Sequence, residues 1–120
     1  MMKRLMVAAG AAVLVGSAFV GRPAAADEAK AKQNYQTFCV KCHGPEGKGD
    51  GPGAAMLNPK PRAFSDCAEM KKHSDAEMQK VISEGGEAVG MSADMQPWGG
   101  TLSDADIADL VKFVRSFCKE

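Results

Sequence analysis

The chain has 120 residues, 45% of them hydrophobic and 25% charged, with 15 basic and 15 acidic side chains. That length suits one domain, and the charge balance excludes both a disordered acidic tail and a basic nucleic-acid-binding arm. Aromatic content is only 6%, so so small a core calls for a staple, and the four cysteines and two histidines are where one is to be sought.

Residues 1–26 read as a secretory signal peptide. Lys3 and Arg4 form a basic start, Leu5 to Val20 is an uncharged apolar run, and Ala24, Ala25 and Ala26 supply small residues for cleavage before Asp27. The alternative is an uncleaved anchor, but the run falls short of the ~20 residues a span needs and carries Gly10 and Gly16. Cleavage leaves 94 residues, 27–120, with 12 basic and 15 acidic side chains and a net charge of −3. Such a domain is expected in an oxidising compartment, the bacterial periplasm.

Glu28 to Phe38 places Ala31, Tyr35 and Phe38 on one helical face. At its end comes Cys39-Val40-Lys41-Cys42-His43. Cysteines three apart on a helical turn face the same side, where two sulfurs can take the two vinyl groups of a haem as thioethers. His43 is then placed to turn a ring nitrogen to the iron. A redox dithiol would sit at a helix start after a strand, and a zinc site would need a fourth ligand that neither Cys67 nor His73 supplies. A disulfide between Cys39 and Cys42 would leave His43 without a purpose. One covalently attached haem c is therefore expected.

From Gly44 to Phe64 helical patterning stops: Gly44, Gly47, Gly49, Gly51 and Gly53 fall within ten residues, with Pro45, Pro52, Pro59 and Pro61 in the same stretch. No Gly-Lys-Ser/Thr and no preceding strand support a phosphate loop. Glycine lets backbone pass close to a flat porphyrin, which accounts for the run as well or better. Ser74-Asp75-Ala76-Glu77 has the form of a capping box; Met78, Val81 and Ile82 follow at helical spacing, which assigns Met78 to a core face, and Gly85-Gly86 ends the helix. Ser103 to Asp106 opens the last helix, whose apolar stripe is Ile107, Leu110, Val111, Val114 and Phe117. No convincing strand appears.

The chain resembles the class I cytochrome c family through Asn34-Tyr35, Cys39 to Gly44, Gly47-Lys48-Gly49-Asp50-Gly51-Pro52 and Met95-Gln96-Pro97-Trp98-Gly99 ahead of a C-terminal helix. The resemblance covers essentially all of residues 27–120. It implies an all-α fold of three to five helices around one covalently bound haem, a monohaem electron carrier and not an enzyme, and a last helix crossing the first near Tyr35 and Phe38. The usual Pro directly after the methionine is displaced here by Gln96. The resemblance also implies that a proline carbonyl, matched by Pro52, accepts the hydrogen bond from the histidine's other nitrogen; ordinary turn chemistry is the alternative.

With His43 on one face of the iron, Met95 is the favoured second ligand, because it sits in a loop held by Pro97, Trp98, Gly99 and Gly100 outside helical periodicity. Met91 and His73 are the rivals, His73 reading more naturally as an exposed residue. A haem-based sensor with a labile Met95 is the alternative function; a peroxidase is disfavoured, since only His73 remains as a distal histidine. Cys67 and Cys118 are expected to form a structural disulfide, with free thiols or a redox-switchable bridge as alternatives. Lys30, Lys32, Lys41, Lys48, Lys60, Arg62, Lys71 and Lys72 either form a docking face for transient redox partners or are simply solvated. No nucleic acid, no membrane insertion and a monomeric state are expected.

Overall fold

The computed structural model describes residues 10–13, 16–17 and 26–119. The expected signal peptide lies mostly outside them. Five α-helices run in order: α1 Glu28–Phe38, α2 Val40–His43, α3 Cys67–Met70, α4 Asp75–Glu84 and α5 Asp104–Arg115, with single 3-10 turns at Ala54–Met56 and Glu87–Val89. No strand occurs among the described residues.

Asp27 caps α1 by accepting from the Lys30 amide at 2.9 Å. The same residue's amide donates to Asp109 Oδ2 at 3.1 Å, and Lys30 Nζ lies 2.7 Å from Asp106, so the start of α1 is tied to the first turns of α5. Ser103 and Asp106 form a reciprocal capping box at α5. At α4, Ser74 accepts from the Glu77 amide, but the Glu77 carboxylate turns to His73 Nδ1, 3.3 Å away.

The core lies where α5 crosses α1. Ala31 and Tyr35 of α1 and Ile107, Leu110, Val111 and Val114 of α5 are all buried, with Tyr35, Ile107, Leu110 and Val114 packed in one cluster, and each such aliphatic side chain of α5 contributes about 1.5–3 kcal/mol by leaving water. The Tyr35 ring packs against Phe113 and Phe117 at centroid distances of 5.3 and 5.1 Å, and Phe38 packs on Trp98 at 5.0 Å. α4 also packs on α5, with Met78 and Ile82 against the same core. Arg115 fastens the end of α5 to the connection before α4: its guanidinium donates to the His73 carbonyl at 2.6 Å and the Met70 carbonyl at 3.3 Å, and pairs with Asp75.

Candidate haem cleft

Cys39 ends α1 and begins α2, its amide bonded to the Tyr35 carbonyl and its own carbonyl receiving the His43 amide, both at 2.9 Å. One tight turn therefore carries Cys39, Cys42 and His43. Such a turn leaves its last carbonyls without helical partners, and the glycine loop supplies them in series. Gly53 N donates to Lys41 O at 2.8 Å, Gly51 N to Cys42 O at 3.1 Å, and Gly49 N to His43 O at 2.8 Å. The Tyr35 hydroxyl donates to Gly44 O at 2.6 Å. A Cβ at Gly51 would stand 2.3 Å from Lys41 O and 2.4 Å from Val40 O, so no side chain fits there. The glycines thus bring backbone against the motif's own carbonyls, a closer constraint than the porphyrin contact expected of them.

His43 stacks on Phe64, with ring centroids 4.5 Å apart. Burial lowers its pKa to about 4, against a smaller opposing effect of the Arg62 backbone, so the imidazole is neutral at pH 7 and keeps a lone pair to offer. Its Nδ1 is buried with no hydrogen-bond partner among the described residues. Pro52 is exposed, and its carbonyl makes no hydrogen bond with His43 Nδ1, so the expected histidine–proline bond is not formed in this structure. Burial, and then the neighbouring Cys42, push the Cys39 thiol up to about 11. Neither Cys39 nor Cys42 is in a disulfide.

These side chains border a cleft of about 880 Å³, with Cys39, Cys42 and His43 on one wall and Met91, Met95 and Trp98 also lining it. Cofactor sites commonly span roughly 300–1,000 Å³. A smaller cavity of about 100 Å³ adjoins it, lined by residues such as Tyr35, Phe64, Met70 and Leu110, with His43, Arg62, His73 and Glu77 among its polar members. Met78 also lines that smaller cavity while packing on the core. The donor set fits a haem: two thiols on one turn, a neutral buried imidazole, thioethers and a mostly apolar wall.

The methionine loop is held by the end of α4. Trp98 N donates to Ile82 O at 2.8 Å and Gly99 N to Ser83 O at 3.0 Å, while Gly86 N donates to Met95 O at 2.9 Å. Gly85 ends α4 with φ +87°. His73, expected to be exposed, has a side chain only 16% exposed. Its Nε2 lies 3.4 Å from Glu69 and is in contact with Arg62, and its Nδ1 faces Glu77. Cys67 and Cys118 bring their Cα atoms to 5.1 Å, with the sulfurs at bonding distance. Phe64, the Arg62 backbone and the ion cluster around His73 escape sequence reasoning, because no local pattern marks them.

The family model for cytochrome c matches residues 28–117. The chain belongs to the cytochrome c family. Among solved structures, it is similar to the KustC0563 c-type cytochrome, 28% identical, covering 74% of this chain and 98% of that one with a TM-score of 0.62. It is also similar to a chain of the Kuenenia stuttgartiensis reducing HAO-like protein complex Kustc0457/Kustc0458, 27% identical, covering 74% of this chain and 41% of that one, with a TM-score of 0.60. No curated protein matches. This cytochrome has the helical fold of the family and carries covalently bound haem c. No helix among the described residues is long and apolar enough to cross a membrane.

Proposed function

We propose that this cytochrome is an exported, periplasmic one-electron carrier, acting as a monomer, in which Cys39 and Cys42 hold haem c through two thioethers while His43 and Met95 take the axial positions. The observation that carries the reading is that both cysteines, the histidine and Met95 border a single cleft of cofactor size. Bound haem supplies the one-electron couple. The chain's residues set its conditions. His43 presents a neutral nitrogen, held in place by stacking on Phe64. A Met95 thioether favours the reduced state relative to a second imidazole and so raises the potential. The bonded carbonyls of residues 41–44 fix the geometry of the turn that presents the sulfurs and the imidazole.

The carrier reading is favoured over a ligand-binding sensor by the tethers on the methionine loop, at Gly86, Ile82 and Ser83, which oppose its withdrawal. His73 has both ring nitrogens facing charged neighbours, which disfavours it as an iron ligand and as a peroxidase acid or base. Of the eight cations that form a candidate docking face, Lys30, Lys48, Arg62 and Lys72 are paired with acidic groups. Lys41 and Lys60 border the cleft without an ion pair among the described residues, and they are the stronger contacts for an acidic redox partner. The approach of Cys67 to Cys118 supports a structural disulfide, and the leader at 1–26 supports export with a mature chain starting at Asp27.

The test is spectroscopic. The ferric holoprotein at neutral pH is expected to show the charge-transfer band of methionine sulfur to iron, and its intact mass to equal residues 27–120 plus one haem less the two hydrogens that the disulfide removes. Absence of the band would refute His/Met ligation.

A further inference from the structure

Two loop methionines, not one, border both cavities. Met91 and Met95 both line the main cleft and also the smaller cavity, as does His43. Their backbones hang from a single residue: Gly86 donates its amide to Met95 O at 2.9 Å and accepts the Met91 amide on its carbonyl at 2.8 Å. Gly86 is buried, and a Cβ there would meet Ser92 O at 2.1 Å and Met95 Cβ at 3.2 Å, so the loop is closed tightly on that glycine. Between the two methionines the turn is self-contained, with Met95 N bonded to Ser92 O at 3.3 Å and Ser92 Oγ accepting from the Asp94 amide at 3.1 Å. The other described methionines that border either cavity are placed differently: Met70 and Met78 are on helices and pack with the core, and Met56 is 91% exposed on the 3-10 turn beside α2.

We infer that Met91 is a reserve axial ligand: when Met95 does not hold the iron, the Met91 thioether takes the same position. This rests on the His43/Met95 reading. The exchange breaks one iron–sulfur bond and makes another of the same kind. Both thioethers are neutral, so no proton or electron is transferred and the site charge does not change. A methionine side chain has three rotatable bonds and a polarisable sulfur, and soft thioether suits haem iron as a ligand. Because Gly86 holds both ends of the loop, the exchange is drawn as side-chain rotation with both backbone tethers kept. In the ordinary state Met91 serves as an apolar part of the wall.

The experiment compares holoproteins carrying Met95→Leu, Met91→Leu and both changes, since leucine nearly conserves volume and spares the fold. The readouts are the sulfur-to-iron band of the ferric protein and the dissociation constant for added imidazole, which competes with any thioether. Met91→Leu is expected to leave the band at its wild-type position. Met95→Leu is expected to keep a shifted band of at least half the intensity, and the double variant to lose it. Imidazole is expected to bind the double variant at least tenfold more tightly than Met95→Leu. Loss of the band in Met95→Leu, with imidazole affinity equal to that of the double variant, would overturn the reserve ligand while leaving Met95 as the native one. Loss of the band in Met91→Leu, with Met95→Leu indistinguishable from wild type, would instead overturn the Met95 assignment itself and the reserve with it. A band that survives in the double variant would refute both.

Discussion

Tyr35→Phe removes one oxygen from the centre of the molecule and little else. The ring is 1% exposed, and its packing on Phe113 and Phe117 stays, so no cavity larger than a hydroxyl opens. What is lost is the 2.6 Å bond to Gly44 O. Burial raises the tyrosine pKa well above its ordinary value, so the hydroxyl is a donor throughout the accessible pH range and the loss does not vary with pH. A buried hydrogen bond contributes roughly 0.5–1.5 kcal/mol net, and an orphaned acceptor costs ~1–3 kcal/mol. Gly44 O is not fully orphaned, because Gly47 N also donates to it at 3.2 Å. The expected loss is therefore about 1 kcal/mol and not above about 2 kcal/mol, a fall of roughly 4–8 °C in Tm per kcal/mol for a domain of this size. Urea denaturation of the holoprotein, followed by helical circular dichroism, reads it as a lower midpoint at unchanged slope. A change below ~0.3 kcal/mol would mean that the hydroxyl does not brace the haem-bearing turn, and one above ~3 kcal/mol that the ring itself has been displaced.

Replacing Cys67 and Cys118 with serine removes the proposed bridge between residues 51 apart in sequence; the chain-entropy relation gives a loss of up to roughly 4 kcal/mol, measured by denaturation of the oxidised protein and its double variant. If the two are equally stable, the pair is not bridged. Gly51→Ala drives a methyl group into Lys41 O and Val40 O and is expected to lower the yield of covalently loaded protein severalfold, scored as the absorbance ratio of haem to protein; unchanged loading would show that the turn adapts. Asp106 is held below its ordinary 3.8 by the Lys30 ammonium and the Ser103 hydroxyl. Its contribution is present above 3.8 and is lost as pH falls through the lower folded value. Lys30→Met is expected to make the acid loss of stability shallower in a pH series of denaturation curves, and an identical acid limb would exclude that pair as a contributor.

The parts legible in the sequence were those whose signals are local. α1 and α5 follow from apolar spacing of three and four, and the Ser103–Asp106 box at α5 could be read directly. The haem-bearing turn was legible because five consecutive residues contain it. The Ser74–Glu77 box was only half right, since a carboxylate chooses its partner in three dimensions and His73 outcompetes the Ser74 amide. Residues 62–70 carry no periodicity that reveals α3, the stacking of Phe64 on His43, or the Arg62 backbone beside the imidazole. Those contacts depend on how the loop returns, and nothing in the neighbouring residues encodes that route. The glycine run marks a close approach, but the carbonyls it approaches belong to a turn whose partners are set by tertiary folding.

Gly49, Gly51 and Gly53 answer His43, Cys42 and Lys41 in reverse order, two steps along the loop for each step along the turn. The stretch from 44 to 53 is consequently a measured length. Surface loops commonly accept added residues, but one inserted here would shift every later donor out of phase with its carbonyl. Length variation in this cytochrome is thus expected to be excluded from residues 44–53, and a library of single-residue insertions selected for haem loading would map that boundary.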